Sequence, residues 1–226
     1  MITVPIVYSW EICTPVVFRF LPDEHVRQFF TDGSLRLSSF SQFKKHNDEQ
    51  RLDAREGKTF FVHRTQQGGG QTLTAHASHG YNAYVLCGTI RHDEELSKAF
   101  GCNSYIRINN PTEFGAKVAR HIPGFMVGAE GFCLYQDKKI IERDLGYIDL
   151  TQFVDPSSHS EPNKERIRQF INDQMKHYPF FLKDSSYSHQ VEYRLVWITS
   201  SPVQNFLDIK VPEAIPICTG PNSLTE

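Results

Sequence analysis

Three polar head groups occupy alternate positions late in the chain: the Gln190 amide, the Glu192 carboxylate and the Arg194 guanidinium. Val191, Tyr193, Leu195 and Trp197 fall between and after them. This period-2 pattern predicts a half-buried strand with one apolar and one polar face. Surface strands usually mix charge with Thr or Ser, so an amide, a carboxylate and a guanidinium in a row predict the floor of a cleft. The competing reading is a cross-strand ion pair that uses Glu192 and Arg194 and does nothing beyond supporting the fold.

Several elements must position these groups. The stretch from Val16 to Leu21, between Pro15 and Pro22, predicts a first strand carrying Arg19. Asp23 is placed to cap a short helix to about Thr31, with Val26, Phe29 and Phe30 at helical spacing. Asp32-Gly33 ends it, and Leu35 to Phe40 predicts a second strand bearing Ser38 and Ser39. Gln42 to Gly57 reads as a polar helix or ordered loop, and Gln66 to Gln71 as a glycine-rich tip between extended segments. Further strands are predicted at Tyr81–Arg91, Ser104–Ile108, Phe132–Tyr135 and Lys139–Ile148. Short helices are predicted near Asp93–Phe100 and from Pro111 to Arg120. Asp155 to Pro162 reads as a polar loop, and Asn163 to Tyr178, ended by Pro179, has the clearest helical stripe. The tail after Pro202 predicts one edge strand. No regular βαβ rhythm, internal repeat or linker is visible, so the pattern predicts one α+β domain spanning residues 1–226.

Composition narrows the function classes. The 226 residues carry a net charge of −2, with no global electrostatic case for nucleic-acid or membrane binding. Aromatic residues make up 12%, favouring a strand-rich core and aromatic-lined pockets. The five cysteines are odd in number and never spaced CxxC, which reads as reduced thiols in a cytoplasm. Neither a signal peptide nor a membrane span is expected. There is no GxGxxG, P-loop or HExxH motif. His76-Ala77-Ser78-His79 lacks a third ligand, so no metal site is predicted.

Three pieces taken together resemble the Arg–Ser–Glu signature of mono-ADP-ribosyltransferases. They are Phe18-Arg19-Phe20, Leu37-Ser38-Ser39-Phe40-Ser41 and Gln190-Val191-Glu192, in that order. Phe18-Arg19-Phe20, Leu35–Phe43 and Lys183 through Leu195 also resemble a family of uncharacterised bacterial proteins. That family has a Tyr-Arg-Tyr-like strand, a Leu-Ser-Ser…Phe-Asn-Asp-Pro segment and a lysine-led loop into Glu-x-Glu-Tyr-Arg. Here His46-Asn47-Asp48-Glu49 replaces the Asn-Asp-Pro, and Gln190 replaces the first Glu.

The resemblance implies mostly antiparallel split sheets flanked by short helices, and NAD as substrate. Arg19 would hold the pyrophosphate. Glu192 would stabilise the oxocarbenium-like state left when nicotinamide departs. A serine among Ser38, Ser39 and Ser41 would orient Glu192. Gln190, on the same strand face, would meet the acceptor, with Tyr187 as the aromatic of the recognition turn. Glu192 would face the cleft with no buried partner, so neutralising it would leave stability little changed. The acceptor would be a protein side chain or a nucleic-acid base. The family type implies a toxin, a phage-defence or a phage effector, and a cognate antitoxin or immunity protein as partner. Two alternatives stay open: a non-catalytic protein-binding or immunity module of the same fold, and a nucleic-acid-binding or -processing protein using Arg36, Arg51, Arg55 and Arg64.

Overall fold

Pro15 and Pro22 bracket the first strand, since proline cannot donate to a sheet ladder. A computed structural model describes residues 15–43, 56–66, 70–155 and 161–221. In it β1 is Val17–Leu21, followed by α1 (Asp23–Asp32), β2 (Ser34–Ser39) and the single turn α2 (Phe40–Phe43). Pro22, not Asp23, occupies the N-cap of α1; Asp23 lies in the first turn and accepts from Arg27 Nε at 2.7 Å. Next come β3 (Lys58–Thr65), β4 (Gln71–Ser78), β5 (Ala83–Thr89), α3 (Glu94–Ala99), β6 (Ser104–Ile108) and α4 (Pro111–Ala119). The chain continues through β7 (Phe125–Phe132), β8 (Leu134–Tyr135), β9 (Ile140–Arg143), α5 (Lys164–Met175) and β10 (Leu182–Lys183). It ends in β11 (Glu192–Thr199), β12 (Phe206–Lys210) and β13 (Cys218–Thr219).

The architecture is α+β with mostly antiparallel sheets. One sheet has eight strands, with the path β12-β2-β5-β1-β6-β13 and with β11 and then β7 beyond the other edge of β5. A three-stranded sheet runs β4-β3-β9, and β10 pairs with β8 in parallel. Leu35, Leu37, Leu86, Ile106, Leu195 and Trp197 build the main core on one face of the large sheet, and Trp197 Nε1 donates to Gly115 O at 2.9 Å. Beside the small sheet, Phe61, Ile141, Ile171, Met175 and Leu182 form a second core.

The feature that matters for a site is the uneven use of β5. One edge pairs continuously with β11, from Glu192↔Thr89 to Ile198↔Ala83. The opposite edge is divided: β2 pairs only at Tyr84 and Val85, and β1 only at Thr89. The large sheet is therefore split between β2 and β1. Gly88 lies at that split, where a Cβ would come within 2.4 Å of Val17 Cγ1 and 2.9 Å of Phe18 O. Only a residue without a side chain lets β1 approach so closely.

Several expected elements shift. The helix expected to run to Tyr178 stops at Met175, where Lys176 adopts φ 49°, ahead of Pro179. The strand expected from Lys139 to Ile148 is confined to Ile140–Arg143. β7 was not anticipated, because Phe125–Phe132 contains two glycines and no alternation; its long pairing with β11 makes it a strand. Residues 44–55 of the predicted polar segment, 67–69 of the glycine-rich tip and 156–160 of the polar loop lie outside the described residues, as do Cys13, Arg51 and Arg55. Among the described residues no helix is long and apolar enough to cross a membrane.

Gly88→Ala is expected to destabilise the fold by about 1–3 kcal/mol, the usual cost of overpacking a closed site. Gly128→Ala, whose Cβ would meet nothing nearer than 3.7 Å, is the control. Urea denaturation separates them; equal midpoints would show that β1 moves freely at the split.

Candidate functional site

The split opens a cleft of about 780 Å³. Its floor comes from β5 and β11, where Val85, Cys87, Thr89, Glu192 and Arg194 lie on the face opposite the main core. Phe18 and Phe20 of β1 form one wall, and Ser38 and Arg36 of β2 with Asp208 and Lys210 of β12 form another. Lys183, Tyr187 and Gln190 close the end beyond β11.

Strand alternation sorts the serines. Leu35, Leu37 and Ser39 face the core, which leaves Ser38 toward the cleft. Ser39 is 1% exposed and shares a 2.6 Å hydrogen bond with Ser41 in α2, and neither lines the cleft. Arg19 pairs opposite Ile106 and so leaves β1 on the core side. Its guanidinium crosses the split, Nη2 donating to Arg36 O at 2.9 Å, and borders the cleft from there.

The late motif departs from an uninterrupted strand. β11 begins at Glu192; Ser185–Gln190 is a 3-10 turn, and Val191 between them sits in the left-handed region at φ 42°. Gln190 is therefore not on the strand face of Glu192, contrary to its expected place. A β-branched residue at positive φ is a strained break that a period-2 pattern cannot signal. Gln190 is 2% exposed, and its Oε1 accepts from Lys183 Nζ at 2.6 Å. Tyr187 lines the cleft with its ring 4.9 Å from Lys183 Nζ.

Glu192 does not stand free. Its Oε1 accepts from Arg194 Nε at 2.5 Å, and its Oε2 accepts from Lys183 Nζ. Arg194 in turn donates through Nη1 to Glu56 Oε1 at 2.9 Å and to Phe180 O at 2.7 Å, and through Nη2 to Glu56 Oε2 at 3.2 Å. Lys139 stands 3.8 Å from Glu56. The ion pair between Glu192 and Arg194 thus exists, within one strand and not across two. Sequence reasoning gave no role to Glu56 and read Lys183 only as the head of a loop. Nothing local announces that either would be buried, because most charged residues are solvated.

Burial alone would raise the Glu192 carboxyl, but Arg194 and Lys183 outweigh it and hold the group well below the usual carboxylate range. Lys183 is held above its ordinary value: burial opposes the charge and Glu192 more than restores it. Burial pushes the Cys87 and Cys133 thiols up, so both stay neutral beside this ion network. Tyr135, whose hydroxyl accepts from Glu192 N at 2.7 Å, is pushed up to about 12, chiefly by burial.

Among the described residues no group of three or more His, Cys, Asp or Glu side chains could hold a metal. Arg36 and Arg64 sit in different sheets, bonded to Asp208 at 2.6 Å and 3.8 Å from Glu142 respectively. The cleft therefore brings together Arg19, Ser38, Tyr187, Gln190 and Glu192, and leaves Ser39 and Ser41 outside. No protein-family model, no curated protein and no solved structure matches the chain.

Removing one partner of a buried ion pair costs about 3–5 kcal/mol. Glu192→Gln is thus expected to lower stability by up to about that amount, not to melt near wild type, because Lys183 and Arg194 lose their shared counter-charge. The pH dependence has a definite sign. A carboxyl lowered by folding stabilises fully above its unfolded value of about 4.3, and that contribution fades as pH falls below it. Wild type should lose stability below about pH 4.3 and Glu192→Gln should lose less over the same window, as read by thermal melts. Parallel curves would show that the two cations do not hold this carboxylate.

Proposed function

We propose that the chain is an ADP-ribosyltransferase-like enzyme with NAD as substrate, acting on a protein or nucleic-acid acceptor. One observation carries the reading. Arg19 and Ser38, from the first two strands, and Glu192, from a late one, border a single cleft at the split of an antiparallel sheet. Its volume of about 780 Å³ falls within the range of small-molecule sites.

The chemistry asked of these residues is modest and mainly electrostatic. Arg19 offers its guanidinium to the pyrophosphate. Ser38 and Glu192 hydrogen-bond the ribose beside the bond that breaks. Nicotinamide leaves with the bonding pair, and the positive charge spreads over the ribose ring carbon and oxygen. A lone pair of the acceptor, or of water, forms the new bond, and the attacking group gives up its proton to bulk water. Glu192 serves as the fixed negative charge facing that centre. Phe18 and Phe20 give the opposite wall an apolar, aromatic surface.

A second reading has its own support. Glu192 is 6% exposed and both of its oxygens carry cations, which suits a structural ion network in a non-catalytic binding module. Calorimetry with NAD and chromatographic detection of nicotinamide separate the two. The enzyme reading expects wild type to bind NAD and release nicotinamide. It expects Arg19→Ala to weaken binding by about 10- to 100-fold, the loss of a charged hydrogen bond. It expects Glu192→Gln, at a temperature where circular dichroism shows it folded, to lose about 10²–10³ in rate. A wild type that neither binds NAD nor releases nicotinamide gives the binding-module reading the field.

A further inference from the structure

The two cations on Glu192 are not equivalent. Arg194 is 1% exposed, and the carboxylate of Glu56 and the Phe180 carbonyl take up its other nitrogens. Both cations border the cleft, but Lys183 is the more exposed, at 7%. Its backbone is fixed by the β10–β8 pair, where Gln136 N donates to Lys183 O at 2.9 Å. Its ammonium has three protons, and it spans the Glu192 carboxylate and the Gln190 amide while riding 4.9 Å from the Tyr187 ring centre. Its ammonium thus touches both the carboxylate and the turn over the cleft end. Among the described residues Ser38 makes no bond to Glu192, so the serine strand does not set the carboxylate's orientation.

We propose that Lys183 is the positioning residue of this cleft: its ammonium, not a serine hydroxyl, sets which face of the Glu192 carboxylate a ligand meets and ties that carboxylate to the turn Ser185–Gln190. Each carboxylate oxygen has two lone-pair directions. With Arg194 on Oε1, Lys183 on Oε2 and the Cys87 thiol beside the carboxylate, Lys183 fixes which remaining lone-pair direction a ligand meets. The catalytic consequence rests on the reading under Proposed function, while the control of the carboxylate does not.

The groups facing Glu192 are Lys183 from β10, Arg194 from its own strand, the Cys87 thiol from β5, and Cys133 and the Tyr135 hydroxyl from the segment after β7. The thiols and the phenol are neutral at physiological pH, so among the described residues Lys183 and Arg194 supply the charge at contact. Lys183→Met keeps the length and removes the charge; Lys183→Gln also keeps a donor; Lys183→Arg keeps both.

Carboxyl-carbon NMR of labelled protein, with the Glu192 signal assigned by its loss in Glu192→Gln, tests the first half without any ligand. Wild type should show Glu192 ionised throughout the folded range, and Lys183→Arg likewise. Lys183→Met and Lys183→Gln should move its titration up by about one pH unit or more, as expected for loss of an opposite charge in contact. Nicotinamide release tests the second half. Both neutral variants should lose about 10- to 100-fold in kcat, with KM for NAD within about threefold and the acid limb of the rate profile shifted upward, and Lys183→Arg should recover most of it. An unshifted Glu192 titration in a folded Lys183→Met protein overturns the proposal, as does a shifted titration with unchanged kcat. If wild type releases no nicotinamide, the functional reading fails, and the NMR titration by itself then decides whether Lys183 controls the carboxylate.

Discussion

A guanidinium is costly to take out of water unless its charge is balanced and its nitrogens are hydrogen-bonded, and Arg194 is buried with all three nitrogens engaged. Its partners come from three regions: Glu192 on β11, Glu56 just ahead of β3, and the Phe180 carbonyl in the turn before β10. The eight-stranded sheet, the approach to the three-stranded sheet and the segment leading to Lys183 are thus fixed relative to one charged group. Phe40 of α2 lies 5.7 Å from the guanidinium carbon and adds an apolar cover. Displacing any of these elements would leave a charge bare in the interior, so the geometry at Glu192 is held to a narrow range.

This constraint explains why the cleft lies where it does. β5 is held along its whole length by β11 on the Arg194 side, so it cannot follow β2 and β1 as they diverge on the other. The sheet opens at Cys87 and Gly88, directly across β5 from Arg194 and Tyr193. The closest packing on one edge of β5 faces the opening on the other.

Strong alternation made much of this legible in the sequence. β1, β2, β6 and the apolar face of β11 were visible because Val, Leu, Ile and aromatic residues recur there at period two. The same rule, followed one step further, separates Ser38 from Ser39, since neighbours on a strand face opposite ways. Alternation failed where the backbone broke it without a composition signal. Val191 is a strong strand former, yet it takes a left-handed conformation that lifts Gln190 off the strand. Gln190 still reaches the site through a different route, the Lys183 ammonium. β7 is the converse case: its sequence has little strand character, and a long-range partner makes it a strand. Glu56 was invisible for a third reason: charge burial depends on the tertiary partner, and Arg194 is 138 residues away.

The candidate catalytic carboxylate is therefore also part of the structural network, and this changes how any loss of activity must be read. A free cleft carboxylate could be neutralised with little effect on the fold, and its role read directly from rate. Glu192 cannot, because the charge that would face a developing cation also balances Lys183 and Arg194. Two cations at contact also weaken the field a carboxylate projects, so a catalytic Glu192 must deliver its stabilisation over the short distance to a ribose bound against it. Among the described residues it is the cleft that gives such a ligand access to Glu192, with Arg194 and Glu56 bordering the same space. Stability and chemistry are coupled through the same pair of oxygens, and Lys183 and Arg194, which both border the cleft, belong to each.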